Sequence, residues 1–173
     1  MIRLALPCDL ARLADIERSA AQRFVGTDMA WAAGGETLPL ETLHQARTAG
    51  LLWGAVHGER LCGFALATPM DGDLYLAEIS VAMPEQGRGL GRALMRAVLD
   101  HARQAGRYNA VVLTTDLHLP WNAPFYRRLG FDVVVPSYSP GLHARLRAEA
   151  AAGFDPARRC AMAYPLAKRP VQP

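Results

Sequence analysis

Cysteine is scarce and scattered. Cys8, Cys62 and Cys160 are the three in 173 residues, odd in number and without C-x-x-C spacing. That argues against a disulfide framework and against a thiolate metal centre, and no metal is expected. Long hydrophobic runs are lacking too. No stretch approaches the ~18 apolar residues that span a membrane. The first residues, Met1 to Asp9, carry no apolar core of the signal-peptide kind. The chain therefore reads as soluble and cytoplasmic, with no membrane partner. Charge of one sign is also missing. Nineteen basic and 16 acidic residues leave +3, with no dense Lys/Arg run. Nucleic acid is not an expected partner, whereas a small anionic ligand suits the balance. Repeats, low-complexity segments and internal linkers are absent.

What is present is an ordinary globular mixture, 51% hydrophobic and 20% charged, long enough for one domain with a substantial core. Ile2–Leu6 reads as a strand stopped by Pro7, and Asp9 stands where a helix cap belongs. Leu13, Ile16, Ala20 and Phe24 give helical spacing over about 10–23. A glycine-bearing loop with Asp28, Trp31 and Glu36 follows, then a helix over Leu40–Thr48 closed by Gly50. Leu51–Val56 and Leu61–Thr68 form a hairpin about 57–60. A turn over Pro69–Asp73 leads to a third strand, Leu74–Met83. From Gly89 the pattern becomes helical, with Leu90, Ala93, Leu94, Ala97, Val98 and His101 on one stripe. Ala110–Thr115 is a buried strand, so 74–83, 89–105 and 110–115 make a βαβ unit with parallel strands. A short helix over Trp121–Leu129, a strand over Phe131–Val135, a helix over 142–152 and a strand over Cys160–Tyr164 complete the chain.

The informative stretch is Ala77-Glu-Ile-Ser-Val-Ala-Met-Pro-Glu-Gln-Gly-Arg-Gly-Leu-Gly-Arg92. A strand runs into a glycine-rich turn and then into a helix, a junction whose free N–H groups suit a phosphate. No Gly-Lys-Ser/Thr follows, so it is not a nucleotide P-loop. The glycines at 87, 89 and 91 have the wrong spacing for a dinucleotide fingerprint. No side-chain cap precedes the helix. Glu78 is the lone carboxylate of the strand.

Gln86-x-x-Gly89-x-Gly91, after a strand ending Ile79-Ser-Val81, resembles the acyl-CoA motif of the GNAT acetyltransferase superfamily. Asn122, Tyr126 and Gly130-Phe131 extend the likeness over about residues 2–165. The resemblance implies an α/β (α+β) GNAT fold, with a mixed, mostly antiparallel central sheet, a parallel splayed strand pair and flanking helices. It implies one acetyltransferase domain over 1–173, its core about 2–165 and its tail 166–173. Acetyl-CoA is the implied co-substrate. Ile79, Ser80 and Val81 would bind the pantetheine arm and the acetyl carbonyl. The amides of Gly87, Arg88, Gly89, Leu90, Gly91 and Arg92, after Gln86, would hold the pyrophosphate. Asn122 would contact the cofactor arm, and Tyr126 would protonate the departing thiolate. Asn122 and Tyr126 are four apart, which places both on one face if the helix includes them.

The expected reaction is N-acetylation of a primary amine. A substrate amine with pKa about 10 arrives protonated. Glu78 is either the base that receives its proton or the anchor that binds it as a cation. Its charge favours a small cationic metabolite as the acceptor. His118, Trp121, Tyr138 and His143 are further candidate substrate contacts, and the helix over 142–152 is a candidate lid. The resemblance also favours a homodimer. Two other classes compete: a noncatalytic acyl-CoA-binding regulatory domain, and a generic nucleotide-phosphate binder without the usual Lys-Ser/Thr pair.

Overall fold

The expected meander and βαβ unit both form. The computed structural model describes residues 1–166. In chain order the elements are β1 (Ile2–Leu4), α1 (Leu10–Ala21), α2 (Leu40–Thr48), β2 (Leu52–His57), β3 (Arg60–Met70), β4 (Asp73–Val81), α3 (Leu90–Ala105), β5 (Ala110–Asp116), α4 (Ala123–Arg127), β6 (Asp132–Val134), α5 (Pro140–Ala151) and β7 (Arg159–Pro165). The strands make one mixed sheet in the order β1-β2-β3-β4-β5-β7-β6. β4 and β5 are parallel, in register at Leu74↔Val111 and Tyr75↔Val112. The chain divides into two compact units: Met1–Thr68 with Ala77–Asp100, and Pro69–Leu76 with the chain from His101 on.

In the first unit, α1 and α2 share a buried cluster with β2 and β3. Leu10, Leu13, Ile16, Leu43, Leu52, Phe64 and Leu66 belong to it. The β2–β3 register shifts between Ala55 and Val56, so that Val56 faces Leu61 while Ala55 faces Gly63. This bulge changes the phase of the alternation. It brings odd-numbered Leu61 into the same cluster as Phe64 and Leu66. Gly54 makes room for it, since a Cβ there would stand 2.7 Å from Leu61 Cδ1.

Several boundaries differ from expectation for physical reasons. Asp9 does not cap α1 with its side chain. Its carboxylate accepts bonds from the Leu6 amide at 2.7 Å and from Arg3 Nη1 at 2.6 Å. The Arg3 guanidinium beside it holds the carboxyl below the usual range, against the opposing push of burial. β3 continues through exposed Pro69, and the turn shrinks to Asp71-Gly72 with φ of 51° and 85°. Positive φ at both central residues matches the twist of a two-residue hairpin. On α3 the fully buried side chains are Leu94, Met95, Val98, Leu99 and Ala102, whereas Ala93, Ala97 and His101 are half-buried. The buried face is turned by about one residue from the expected stripe. The large Met95 and Leu99 take the core, and the small alanines flank it.

In the second unit, β7 lies between β5 and β6, paired to β5 along its whole length. Leu166 is the one residue of the expected tail that is described. Leu166 is buried, and its amide bonds the Asn109 carbonyl at 2.9 Å. Residues 167–173 of the expected tail lie outside the described residues.

Helix α5, the candidate lid, is docked by its start and by Glu149. Ser139 caps it by accepting from the Leu142 amide, and Leu142 is fully buried. Asp71 Oδ2 accepts from the Gly141 amide at 2.6 Å. Glu149, 5% exposed, accepts from Thr114 Oγ1 at 2.6 Å, Arg145 Nε at 3.1 Å and Arg159 Nε at 2.9 Å. Since Thr114 spends its proton on Glu149, the 3.1 Å contact with Tyr75 has the tyrosine donating.

The Glu149 network yields an asymmetric prediction. Glu149→Ala strips half-buried Thr114 and the Arg159 side chain, 11% exposed, of their shared acceptor and is expected to cost about 3–5 kcal/mol. Arg145→Ala removes a half-exposed partner and is expected to cost under ~1 kcal/mol. Urea unfolding of the two variants checks the difference.

Candidate functional site

The first unit carries the strand end and loop singled out in the sequence. Along β4, burial is complete from Asp73 to Leu76 and partial over Ala77–Ile79. Glu78 is half-buried. Its Oε1 accepts from Ser80 Oγ at 2.8 Å and from the Ile79 amide at 3.1 Å. Two hydrogen-bond donors thus hold the carboxylate locally, as strand alternation with Ser80 requires. Ala82 donates to the Cys62 carbonyl of β3 at 2.8 Å. By alternation, Ile79 and Val81 direct their backbone groups away from β3. The Val81 carbonyl accordingly receives Gln86 Nε2 at 2.9 Å.

This end of β4 can lie close to β3 because residue 63 is glycine. A Cβ there would stand 2.7 Å from the Ser80 carbonyl oxygen and 3.1 Å from Val81 Cγ2. No pattern in the sequence marks Gly63 for this role.

After β4, a 3-10 turn over Met83–Glu85 leads into the glycines. Gly87 has φ of 76° and Gly89 of 79°, while Gln86 has φ of −67°. Asp71 is the one non-glycine with positive φ among the described residues. The sign of φ therefore alternates through Gln86, Gly87, Arg88 and Gly89, a pattern in which successive N–H groups can converge on an anion. No atom lies within 4 Å of a Cβ at Gly87 or Gly89. Handedness, not crowding, demands glycine at both. The Gly89 carbonyl then accepts from Ala93 as α3 begins. Leu90 and Gly91 are half-buried in its first turn and Arg92 is exposed. The Arg88 guanidinium leans on buried Glu85 at 3.1 Å, with His57 Nδ1 3.6 Å from the same carboxylate oxygen. Gln86 spends its side chain on Val81 and on Arg23 Nη1, 3.1 Å away.

The second unit carries Asn122 and Tyr126. Asp116, fully buried at the end of β5, accepts from the His118 and Leu119 amides, each at 2.8 Å, and from Arg158 Nε at 3.0 Å. Burial pushes its pKa up, but the Arg158 bond and the two amides outweigh burial and hold it below the usual range. This carboxylate shapes the loop that delivers Asn122. That residue lies outside the helix, at the N-cap of α4 with φ −106° and ψ −120°, and makes no side-chain cap. The shared-face argument for Asn122 and Tyr126 therefore does not hold. Their link is a backbone bond, Tyr126 N–H to the Asn122 carbonyl at 3.1 Å. Tyr126 is buried, edge-on to Phe125 at 5.1 Å and to Phe131 at 5.7 Å between ring centres. Gly130, φ 95°, ends the segment.

His118 is exposed and Trp121 half-buried. Tyr138 is also exposed. Exposed His143 lines an open depression of about 470 Å³ with Ser137, Ser139 and Arg147. Residues that sequence reasoning passed over are Ser19, Arg23, Gly63 and Asp116.

A left-handed glycine nest feeding a helix binds anions in unrelated folds, so the family must come from the whole pattern. The family model described as "Acetyltransferase (GNAT) family" matches residues 11–131. The chain belongs to the GNAT family. A 33% identical stretch of 89 residues is shared with N-acetyltransferase 8F1 of Rattus norvegicus. The stretch spans 48% of this chain and 40% of that relative. Solved GNAT folds superpose over nearly all of the chain. The ribosomal-protein-S18-alanine N-acetyltransferase of Escherichia coli gives a TM-score of 0.69 at 19% identity, covering 99% of this chain and 96% of its own. N-acetylglutamate synthase of Neisseria gonorrhoeae, complexed with coenzyme A and N-acetyl-glutamate, gives 0.72 at 16% identity, covering 96% of this chain and 35% of its own. The PaiA N-acetyltransferase of Thermoplasma acidophilum, in complex with coenzyme A, gives 0.68 at 16% identity, covering 95% and 98%.

Two predictions follow from the local geometry of this GNAT chain. Gly63→Ala forces the Ser80–Val81 backbone to move and is expected to cost about 1–3 kcal/mol in urea unfolding. Asp116 has a lowered folded-state pKa, so its stabilisation is complete above the unfolded value of ~3.9 and drains as pH falls below it. Asp116→Asn is expected to lower stability at pH 7 and to flatten its decline between pH 5 and 3, read by urea midpoints across that range.

Proposed function

We propose that this GNAT chain transfers an acetyl group from acetyl-CoA to the primary amine of a small cationic metabolite. The observation that carries the reading is the strand–nest–helix run from Ile79 to Arg92, with left-handed glycines at 87 and 89 and family membership around it. The nest fits a pyrophosphate: its φ values alternate in sign, and both glycines face open space. The complexes of N-acetylglutamate synthase and of PaiA with coenzyme A support the same choice of co-substrate.

Acetyl-CoA supplies an acyl group activated as a thioester. The chain supplies the rest. The Ile79–Val81 backbone points groups away from β3, where an extended arm can pair as a further strand does. The Gly87–Arg92 amides neutralise the pyrophosphate, and Asn122, with no capping bond to make, contacts the arm. Glu78 takes the proton of the incoming ammonium, directly or through a water, or else binds it as a cation. A strand N–H holds the oxyanion. The amine nitrogen then bonds to the thioester carbonyl carbon, the C–S bond breaks, the Tyr126 hydroxyl gives its proton to the leaving thiolate, and the second proton lost by nitrogen restores Tyr126. The family resemblance favours a homodimer, and the scattered free cysteines suit a cytoplasmic location.

The experiment is release of free coenzyme A thiol across a broad amine library. Tyr126→Phe is expected to lower kcat by about 10²-fold or more while acetyl-CoA affinity stays within about twofold. Unchanged turnover would remove Tyr126 as the acid. For Glu78→Gln, a fall in kcat with loss of the rising limb of the pH profile marks the base, and a raised amine KM at constant kcat marks the anchor. Tight acetyl-CoA binding with no thiol release for any amine would instead favour a noncatalytic regulatory domain.

A further inference from the structure

The turn that shapes the acyl-CoA nest is tied at two points to the end of a helix that has had no part in the site. Ser19, in the last turns of α1, accepts from the Met83 amide at 3.0 Å. Arg23, in the 3-10 turn that follows α1, donates from Nη1 to Gln86 Oε1 at 3.1 Å. Gln86 in turn donates from Nε2 to the Val81 carbonyl at 2.9 Å. The two ends of a glutamine amide are chemically different, the nitrogen only donating and the oxygen only accepting. The Val81 carbonyl can take only the nitrogen end. A guanidinium, which only donates, can take only the oxygen end. Both partners therefore select the same orientation of Gln86, and the next residue is the left-handed Gly87. Helix α1 is itself fixed in the core by Leu13 and Ile16, 0% and 6% exposed.

We propose that Arg23 is a positioning residue for the acyl-CoA nest, acting through Gln86 to hold the start of the glycine loop against the end of β4. The proposal rests on the acetyl-CoA reading of that loop. Without the guanidinium, the Gln86 oxygen loses this donor and the amide is free to turn its oxygen toward the Val81 carbonyl, where two acceptors repel. The loop then enters binding with its amides less well converged, and the ligand must supply the ordering.

The test is calorimetric titration of acetyl-CoA into the wild type, Arg23→Met, Gln86→Met, the double variant and Arg23→Lys. Hydrogen exchange across 83–90 in the ligand-free proteins runs alongside. Arg23→Met and Gln86→Met are each expected to weaken binding about five- to tenfold. The double variant is expected within about twofold of Gln86→Met alone, because both remove one linked interaction. Arg23→Lys should recover part of the loss, and exchange across 83–90 should quicken in Arg23→Met. Wild-type affinity in Arg23→Met, or a double variant as weak as the product of the singles, overturns the proposal. If the wild type itself fails to bind acetyl-CoA, the co-substrate reading falls, and unchanged hydrogen exchange in Arg23→Met then separately refutes the tie. Should Arg23→Met fold poorly, Arg23→Lys against Gln86→Met carries the same comparison.

Discussion

The contact between two backbones at Gly63 is the constraint on which the functional edge of the first unit depends. Any side chain there would meet the Ser80 carbonyl oxygen at 2.7 Å. Because none is present, the last residues of β4 lie against β3, and Ala82 reaches the Cys62 carbonyl. That contact fixes which way Val81 points its own carbonyl, and hence where Gln86 finds its partner. The left-handed step at Gly87 begins from this anchored residue. A site made of backbone amides cannot adjust rotamers to recover a lost contact. Its precision is inherited from the strand that precedes it.

The second unit solves a different problem. It buries charge, and two of its buried carboxylates are surrounded by donors. Asp116 collects two amides and a guanidinium, and Glu149 a hydroxyl and two guanidinium groups. Such groups add little net stability compared with apolar packing, yet they tolerate only one arrangement of their neighbours. Asp116 uses that intolerance to shape the loop before Asn122. Glu149 uses it to seat α5 on β5 and β7.

Local patterns in the sequence read well where one periodicity ruled. Leu40–Thr48 has the same bounds in sequence and structure, and the βαβ unit and glycine turn were visible as they stand. Tyr126 is singled out by the likeness to the GNAT motif, since its apolar neighbours alone mark only a packed aromatic. Patterns failed where size or distance decided. Ala93 and Ala97 count as apolar in a stripe, but the bulkier Met95 and Leu99 claim the core. Glu149 carries no signal of its own in its helix, because the partners that hold it, Thr114 and Arg159, come from β5 and β7. Arg23 and Gln86 are 63 residues apart, beyond any periodicity. The insertion of β7 between β5 and β6 is a matter of strand order, which alternation cannot encode.

The Asp71-Gly72 hairpin has an implication for anyone reshaping this chain. Two-residue hairpin tips ordinarily accept tags, inserted peptides or new chain ends, since little but solvent touches them. Here the Asp71 side chain serves as an acceptor for the start of α5, and Met70 and Asp71 pack so closely on Gly141 that a Cβ there would come within 2.6 Å. The tip is thus a joint, and cutting or lengthening it would unmoor a helix about seventy residues away in sequence. The His57–Arg60 hairpin, with open space at Gly58, is the better place for a graft.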